Sequence, residues 1–294
     1  MSTRSPVVLG AGGARLRRRK AVSRMTEVVG MLAALVAVAV LALVIVSVFL
    51  KGAGALSLDF FTGTPVPFGQ TGGGIKQALI GTALLVALAT LIALPVGVLV
   101  AIYTHEFAPW RIAHVVRLCL NVLIGVPTIV IGILVFTLMV KGNGQSGWAG
   151  AVALSFIMFP LVARGTEEVL ALVPVQLREA SLALGATRAR TVLRVVLPNA
   201  VGGIVTATIL AVARAAGETA PLLFTTSIVA TTVNTDPRRP LASVVLTIFT
   251  DSESPDPHSH QEAWAAAFVL IMFVLAISIA ARVLAQRARQ LRMR

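Results

Sequence analysis

Residues 179–198 read Glu179-Ala180-Ser181-Leu182-Ala183-Leu184-Gly185-Ala186-Thr187-Arg188-Ala189-Arg190-Thr191-Val192-Leu193-Arg194-Val195-Val196-Leu197-Pro198. Pro174, just upstream, cannot continue a preceding helix cheaply and suits the first turn of a new one. Leu177, Ala180, Ser181 and Leu184 then recur at i, i+3, i+4 and i+7, which predicts a helix with one largely apolar face flanked by Arg178 and Glu179. Gly185 offers a left-handed cap. Thr187 starts a second segment carrying Arg188, Arg190 and Arg194, and Pro198 opens a long apolar run. The spacing therefore predicts helix, glycine turn and helix at a membrane surface, placed to act as a lever on the spans it joins. The alternative is an ordinary amphipathic interfacial helix.

The sequence on either side is that of a membrane protein. The chain is 57% hydrophobic and 13% charged, with a mean hydropathy of +0.90. Apolar stretches of about 20 residues mark spanning helices. Six are expected: Val28–Leu50, a second within Gln77–Thr104, Leu118–Val140, Gly142–Ala163, a fifth from about Asn199, and Ala263–Ala281. The expected fold class is all-α and polytopic. Expected boundaries are a basic N-terminal segment (1–25), a first span (26–50), a five-helix core (72–285) with a cytoplasmic loop at 165–198, and a basic tail (286–294).

Basic residues set the orientation. Nineteen of the 25 Lys and Arg flank one set of span ends: before the first span, at Arg111 and Arg117, between the fourth and fifth spans, and after the sixth. Five (Lys51, Lys76, Lys141, Arg238 and Arg239) lie on the other side. Both termini and the 179–198 loop are expected to be cytoplasmic. The net charge of +13 is thus a topology signal; lipid headgroups, not nucleic acid, are the expected partners of Arg15–Lys20. The first apolar run is too long for a signal peptide, and Lys51 separates it from Ala53-Gly54-Ala55, so an uncleaved helix is expected. A single cysteine, Cys119, excludes intrachain disulfides and cysteine-cluster metal sites.

Between spans, 52–75 holds turn formers (Thr62-Gly63-Thr64-Pro65-Val66-Pro67, Gly72-Gly73-Gly74). Leu241–Thr250 is apolar but too short to span, and a short external or interfacial helix is expected there. Gly72-Gly73-Gly74-Ile75-Lys76 fails as a phosphate loop, because Ile75 precedes the lysine and Gln77 follows it. The chain is expected to hydrolyse no ATP and to hold no cofactor or metal. His258 and His260 with Asp251, Glu253 and Asp256 read as a polar loop, and Glu167 and Glu168 as a solvated or paired cytoplasmic position. Pro95 and Pro127 are expected kinks.

One charged pair lies deep within a span. Arg214 follows Pro198 by 16 residues, about 24 Å along a helix. An arginine at such depth costs at least about 2.5–3.5 kcal/mol to insert, so it should face a cavity or a partner. Glu218 stands at i+4 on the same face. Two readings stay open: a mutually satisfied pair that orients the helix, or an anion station in which Arg214 offers its forked donors to an oxyanion while Glu218 orients it and weakens its grip. Gly217 and Pro221 predict a kink or break beside the pair.

The 179–198 stretch resembles the EAA loop of ABC-importer permeases, with Glu179, Ala180, Ser181, Gly185, Val195, Leu197 and Pro198 at the family's spacing. Ser181 replaces the second alanine and Val195 an isoleucine. The similarity extends to the phosphate-specific importer permeases of the PstA type from about Gly72 to the C-terminus. Gly73-Gly74-Ile75, Gly81-Thr82, Pro95-Val96-Gly97, Ala101-Ile102-Tyr103, Gly125–Gly132, Glu167-Glu168, Val173-Pro174 and Ala213–Leu223 carry it. The first 70 residues match only in kind, and His105 departs from the commoner residue. The resemblance implies a type I importer fold, with Glu179, Ala180, Ser181, Leu184, Gly185, Leu197 and Pro198 coupling to a separate ATPase. It implies a heterodimer with a PstC-type permease, a PstB-type ATPase dimer that holds the ATP and Mg, and a PstS-type extracytoplasmic binding protein. Phosphate as substrate rests on the resemblance; the residues alone argue for an anion. The alternatives are a permease for molybdate or sulfate, or a phosphate-sensing signalling component. An intramembrane hydrolase is excluded, since no histidine lies mid-span to serve as base.

Overall fold

Backbone polar groups in lipid must pair within their own segment, so long apolar runs fold as helices. The structure is a computed structural model that describes residues 12–66, 72–226 and 232–292, and every regular element among them is helical. Expectations resting on Arg4, Pro67 and Arg294 lie outside these residues. By its contacts the chain divides into two units, Met1–Leu50 and Lys51–Arg294. The first is carried by one long helix, α1 (Gly12–Gly52).

In the second unit, a short α2 (Leu58–Thr62), capped by the Ser57 hydroxyl and anchored by buried Phe60, precedes α3 (Lys76–Ile102). A π turn, Tyr103–Phe107, ends α3. Then come α4 (Trp110–Gly125), α5 (Thr128–Val135) with a π turn at Phe136–Val140, and α6 (Gly147–Ala171). The loop region supplies α7 (Val175–Ala183) and α8 (Arg188–Thr191), and a third π turn leads into α9 (Leu197–Ala215). The remaining helices are α10 (Ala220–Thr225), α11 (Val244–Ser252) and α12 (Pro257–Arg292).

Among the described residues, five helical stretches are long and apolar enough to cross a membrane: Leu16–Ala55, Lys76–Phe107, Gly147–Ala171, Arg188–Ala215 and Pro257–Val283. The expected third span, Leu118–Val140, is not one straight helix. It bends by 95° between Gly125 and Thr128, and counts as a sixth crossing only if the bent pair α4–α5 is taken as one. The cause is local. Pro127 drives Val126 out of the helical region to φ −66°, ψ 131°, and Arg111, His114 and Arg117 make α4 polar along one stripe. The expected fourth span also begins later, at Gly147, because Gly142 and Gly144 form a turn at positive φ.

The centre of the second unit is α3, α6 and α9. Leu85, Ala89 and Ala93 pack against Leu154, Met158 and Val162, with Ala211 and Ala215 closing the cluster. Lipid is as apolar as leucine, so close van der Waals fit is what holds such helices together, and small residues permit it. A methyl added at Gly165 of α6 would come within 2.6 Å of the Ala207 Cβ of α9, and one at Gly97 of α3 within 2.9 Å of Val162.

The helix expected over Leu241–Thr250 forms as α11, but it is built into this core instead of lying at an interface. Leu241, Val245 and Leu246 are buried in the central cluster. The Thr226 hydroxyl donates to the Leu241 carbonyl (2.6 Å) and accepts from its N–H (2.9 Å), and the Val244 N–H donates to the Thr82 hydroxyl (2.9 Å). Those side chains satisfy backbone groups that would otherwise need water.

Candidate coupling loop and substrate path

The loop after α6 folds as its spacing predicts. Pro174 sits at the N-cap of α7. The helix ends in a Schellman arrangement: the Ala186 N–H donates to the Ser181 carbonyl and the Gly185 N–H to the Leu182 carbonyl, with Gly185 at φ +81°. The Ser181 and Thr191 hydroxyls lie 2.9 Å apart and pin α7 to α8. The Thr187 hydroxyl caps α8 by accepting from the Arg190 N–H. Glu179, Ala180, Leu184 and Gly185 are exposed, Leu184 at 89%, while Leu197 and Pro198 begin α9.

Sequence reasoning treated Arg178 only as a flank of this helix. In the structure it is a partly buried hub. Its guanidinium donates to Glu106 Oε1 from Nε (3.3 Å) and Nη2 (3.0 Å), to the Leu170 carbonyl (2.8 Å) and to the Val173 carbonyl (2.6 Å). It thereby satisfies carbonyls at the end of α6 and ties α7 to the π turn that ends α3. The available signal was Glu106 itself, a lone acid at the end of a run otherwise free of acids. Arg188 adds a second link, its guanidinium lying 5.5 Å from the centre of the Phe107 ring.

Glu167 is paired: it accepts from Arg117 Nε (2.6 Å) and Arg164 Nη1 (3.0 Å), which binds α4 to α6. Glu168 is exposed.

Arg214 and Glu218 flank a break. α9 ends at Ala215, the Gly217 N–H turns back to the Arg214 carbonyl (3.1 Å), and α10 starts at Ala220. Ala213 and Ala215 are buried on the packed side, so Arg214 projects the other way, its side chain 56% exposed. Arg214 Nη2 lies 3.6 Å from Glu218 Oε1. Charge-assisted N–H···O bonds run at about 2.7–2.9 Å, so this is an ion pair at a distance and not a closed fork. Beyond the break, α10 rests on α5, where a methyl at Gly132 would meet the Pro221 Cα at 2.8 Å. The two broken segments of the fold therefore pack on each other.

At the opposite end of the bundle from the coupling loop, His258 Nε2 accepts from the Gly72 N–H (3.3 Å) and lies 3.5 Å from Glu262. Burial, and then the charge of Glu262, push the Asp251 carboxyl up to about 6. Among the described residues no three His, Cys, Asp or Glu side chains are placed to hold a metal ion.

Residues 93–290 match the family described as "binding-protein-dependent transport system inner membrane component". The chain belongs to that family. The matched residues include the EAA-like loop and the Arg214–Glu218 break. Among proteins similar to this family member is the phosphate transport system permease protein PstA of Yersinia pestis, 40% identical over 271 residues, covering 91% of this chain and 90% of that protein. The Haemophilus influenzae PstA is 39% identical, covering 81% and 85%. PstA 1 of Mycobacterium tuberculosis strain H37Rv is 40% identical, covering 76% and 74%. Among solved structures, an inward-facing form of the MetNI methionine ABC transporter aligns with a TM-score of 0.55 at 22% identity, covering 73% of this chain and 94% of that one. That likeness establishes the type I permease fold. As a member of this transport family, the chain is a multi-pass inner-membrane permease component and not itself an enzyme.

Proposed function

We propose that this chain is the PstA-type permease subunit of an ATP-driven phosphate importer. The observation that carries the reading is 40% identity to a phosphate transport permease over 91% of the chain. The geometry supports it: a rigid, exposed coupling turn at one end, and an arginine with open donors deep on a broken span.

Glu179, Ala180, Ser181, Leu184, Gly185, Leu197 and Pro198 form and position the surface that meets a PstB-type ATPase, which holds the ATP and Mg. A PstC-type permease pairs with this subunit across the face from which Arg214 projects. A PstS-type binding protein delivers phosphate at the opposite end, and the termini are cytoplasmic. Arg214 meets the anion in the path between the two permeases. Its spare donors fit a tetrahedral oxyanion. Glu218, 3.6 Å away, keeps the arginine aimed and lowers its affinity enough for release. ATP-driven closure of the ATPases draws the coupling helices together and opens the path outward; hydrolysis resets it.

Uptake of radiolabelled phosphate at micromolar concentration, in cells lacking this chain and in the same cells with it restored, tests the reading. Restored uptake that excess molybdate or sulfate does not compete away supports phosphate; competition by either assigns the path to another oxyanion.

A further inference from the structure

We infer that the pair of buried Glu106 and partly buried Arg178 carries the motion of the coupling helix into α3, and that these two are positioning residues for transport. The inference rests on the importer reading above.

The geometry is specific. α7 carries the exposed docking residues, yet none of its residues is buried, so its own packing holds it weakly to the bundle. A helix whose partner pulls on it moves the spans only through whatever it is fastened to. Along the chain α7 leads through α8 to α9. Among the described residues, its hydrogen-bonded link to α3 is Arg178, whose side chain is 17% exposed against 8% for Glu106. The same guanidinium grips the Leu170 and Val173 carbonyls at the end of α6. One side chain thus joins α7 to both α3 and α6, the two helices at the centre of the core.

A cavity of about 310 Å³ lies beside the pair, lined by Glu106, Arg178, Leu182, Arg188, Thr191 and Val192. The pair therefore bridges a gap instead of adding to a packed contact. With the bridge intact, displacement of α7 is passed to α3, α6 and α9 together. With it cut, α7 keeps its joins to α6 and α9 but loses its hydrogen-bonded link to α3. Glu106 is the partner whose loss separates transmission from shape, because Arg178 keeps its two carbonyl acceptors when Glu106 is neutral.

The test is a double-mutant cycle in the complete purified importer, reconstituted in liposomes, with Glu106→Gln, Arg178→Gln and the double variant. The readout is phosphate imported per ATP hydrolysed, alongside retention of the ATPase during purification. Glu106→Gln is expected to keep the ATPase bound and hydrolysing, while phosphate per ATP falls about tenfold, since removing the charge of one partner of a largely covered ion pair costs at least that factor. The double variant is expected to be no worse than Arg178→Gln alone. Uptake and hydrolysis falling in proportion, a ratio within about twofold of wild type, or loss of the ATPase from Glu106→Gln would each overturn the inference. Phosphate uptake by the unmodified complex in the same liposomes tests the importer reading separately.

Discussion

Arg214 and Glu218 face each other across a helix break at 3.6 Å, with the arginine exposed and the glutamate largely covered. The asymmetry matters: the glutamate is largely covered, and the guanidinium is left with donors to spare. In the account above Glu218 competes with phosphate for the same guanidinium. Glu218→Gln removes the competing charge while keeping the shape. It should lower KM for phosphate and lower kcat with it, by about tenfold each, because stronger ground-state binding is not recovered in the moving step. Steady-state uptake against phosphate concentration measures both. A variant with raised KM and unchanged kcat would place Glu218 among the residues that aid binding.

Gly185 has φ +81° and open space where a Cβ would stand. A substitution there acts through backbone conformation and not through a clash. Gly185→Val should cost about 1–2 kcal/mol in the left-handed region and loosen the turn that presents Leu184. Gly185→Asn tolerates that region better and should retain more. Co-purification of the ATPase subunit with each variant, at equal membrane levels, checks the order. Gly185→Asp, which adds a charge to the turn that presents Leu184, should lose the ATPase while remaining inserted.

The glycine turn was legible, and the site after Arg214 was legible as a kink or break, because each is a local effect of Gly or Pro at a fixed spacing; the helical class was legible from apolar runs of spanning length. The bend at Val126–Pro127 was legible as a kink but not as a 95° turn. Hydropathy runs straight through Gly125–Thr128, and only the polar stripe of α4 marks the change in direction. The burial of α11 was hidden for a related reason. A ten-residue apolar run reads as interfacial unless the hydroxyls of Thr82 and Thr226, far away in sequence, are known to meet its backbone. The Glu106–Arg178 pair spans 72 positions, and no periodicity reports such a contact.

Asp251 lies outside the spanning helices, and its carboxyl is raised to about 6 by burial and by Glu262. A raised carboxyl contributes stability that is fully present below its unfolded pKa, about 4, and is lost as pH rises through about 6. The purified complex should therefore melt at a higher temperature at pH about 5 than at pH about 7.5, as far as this group decides it. Asp251→Asn should flatten that difference. Melting curves of both proteins at the two pH values are the check; an unchanged difference in Asp251→Asn would assign the effect elsewhere.

Glu167 takes one arginine on each carboxylate oxygen. Both arginines are partly exposed, at 40% and 31%, so water shares the load when the acid is removed. Glu167→Ala should destabilise the α4–α6 contact by about 1–3 kcal/mol, below the cost of breaking a fully buried pair. Thermal unfolding of the detergent-solubilised complex measures it, and Glu167→Gln should recover part of the loss.

The central claim is that Arg214 meets the transported anion. ATP-driven uptake of radiolabelled phosphate into liposomes holding the complete importer, wild type against Arg214→Ala and Arg214→Lys, tests it most directly. The account predicts an assembled complex whose uptake falls at least about a hundredfold in Arg214→Ala, with partial recovery in Arg214→Lys, which keeps the charge but not the fork. Uptake by Arg214→Ala at the wild-type rate would contradict it.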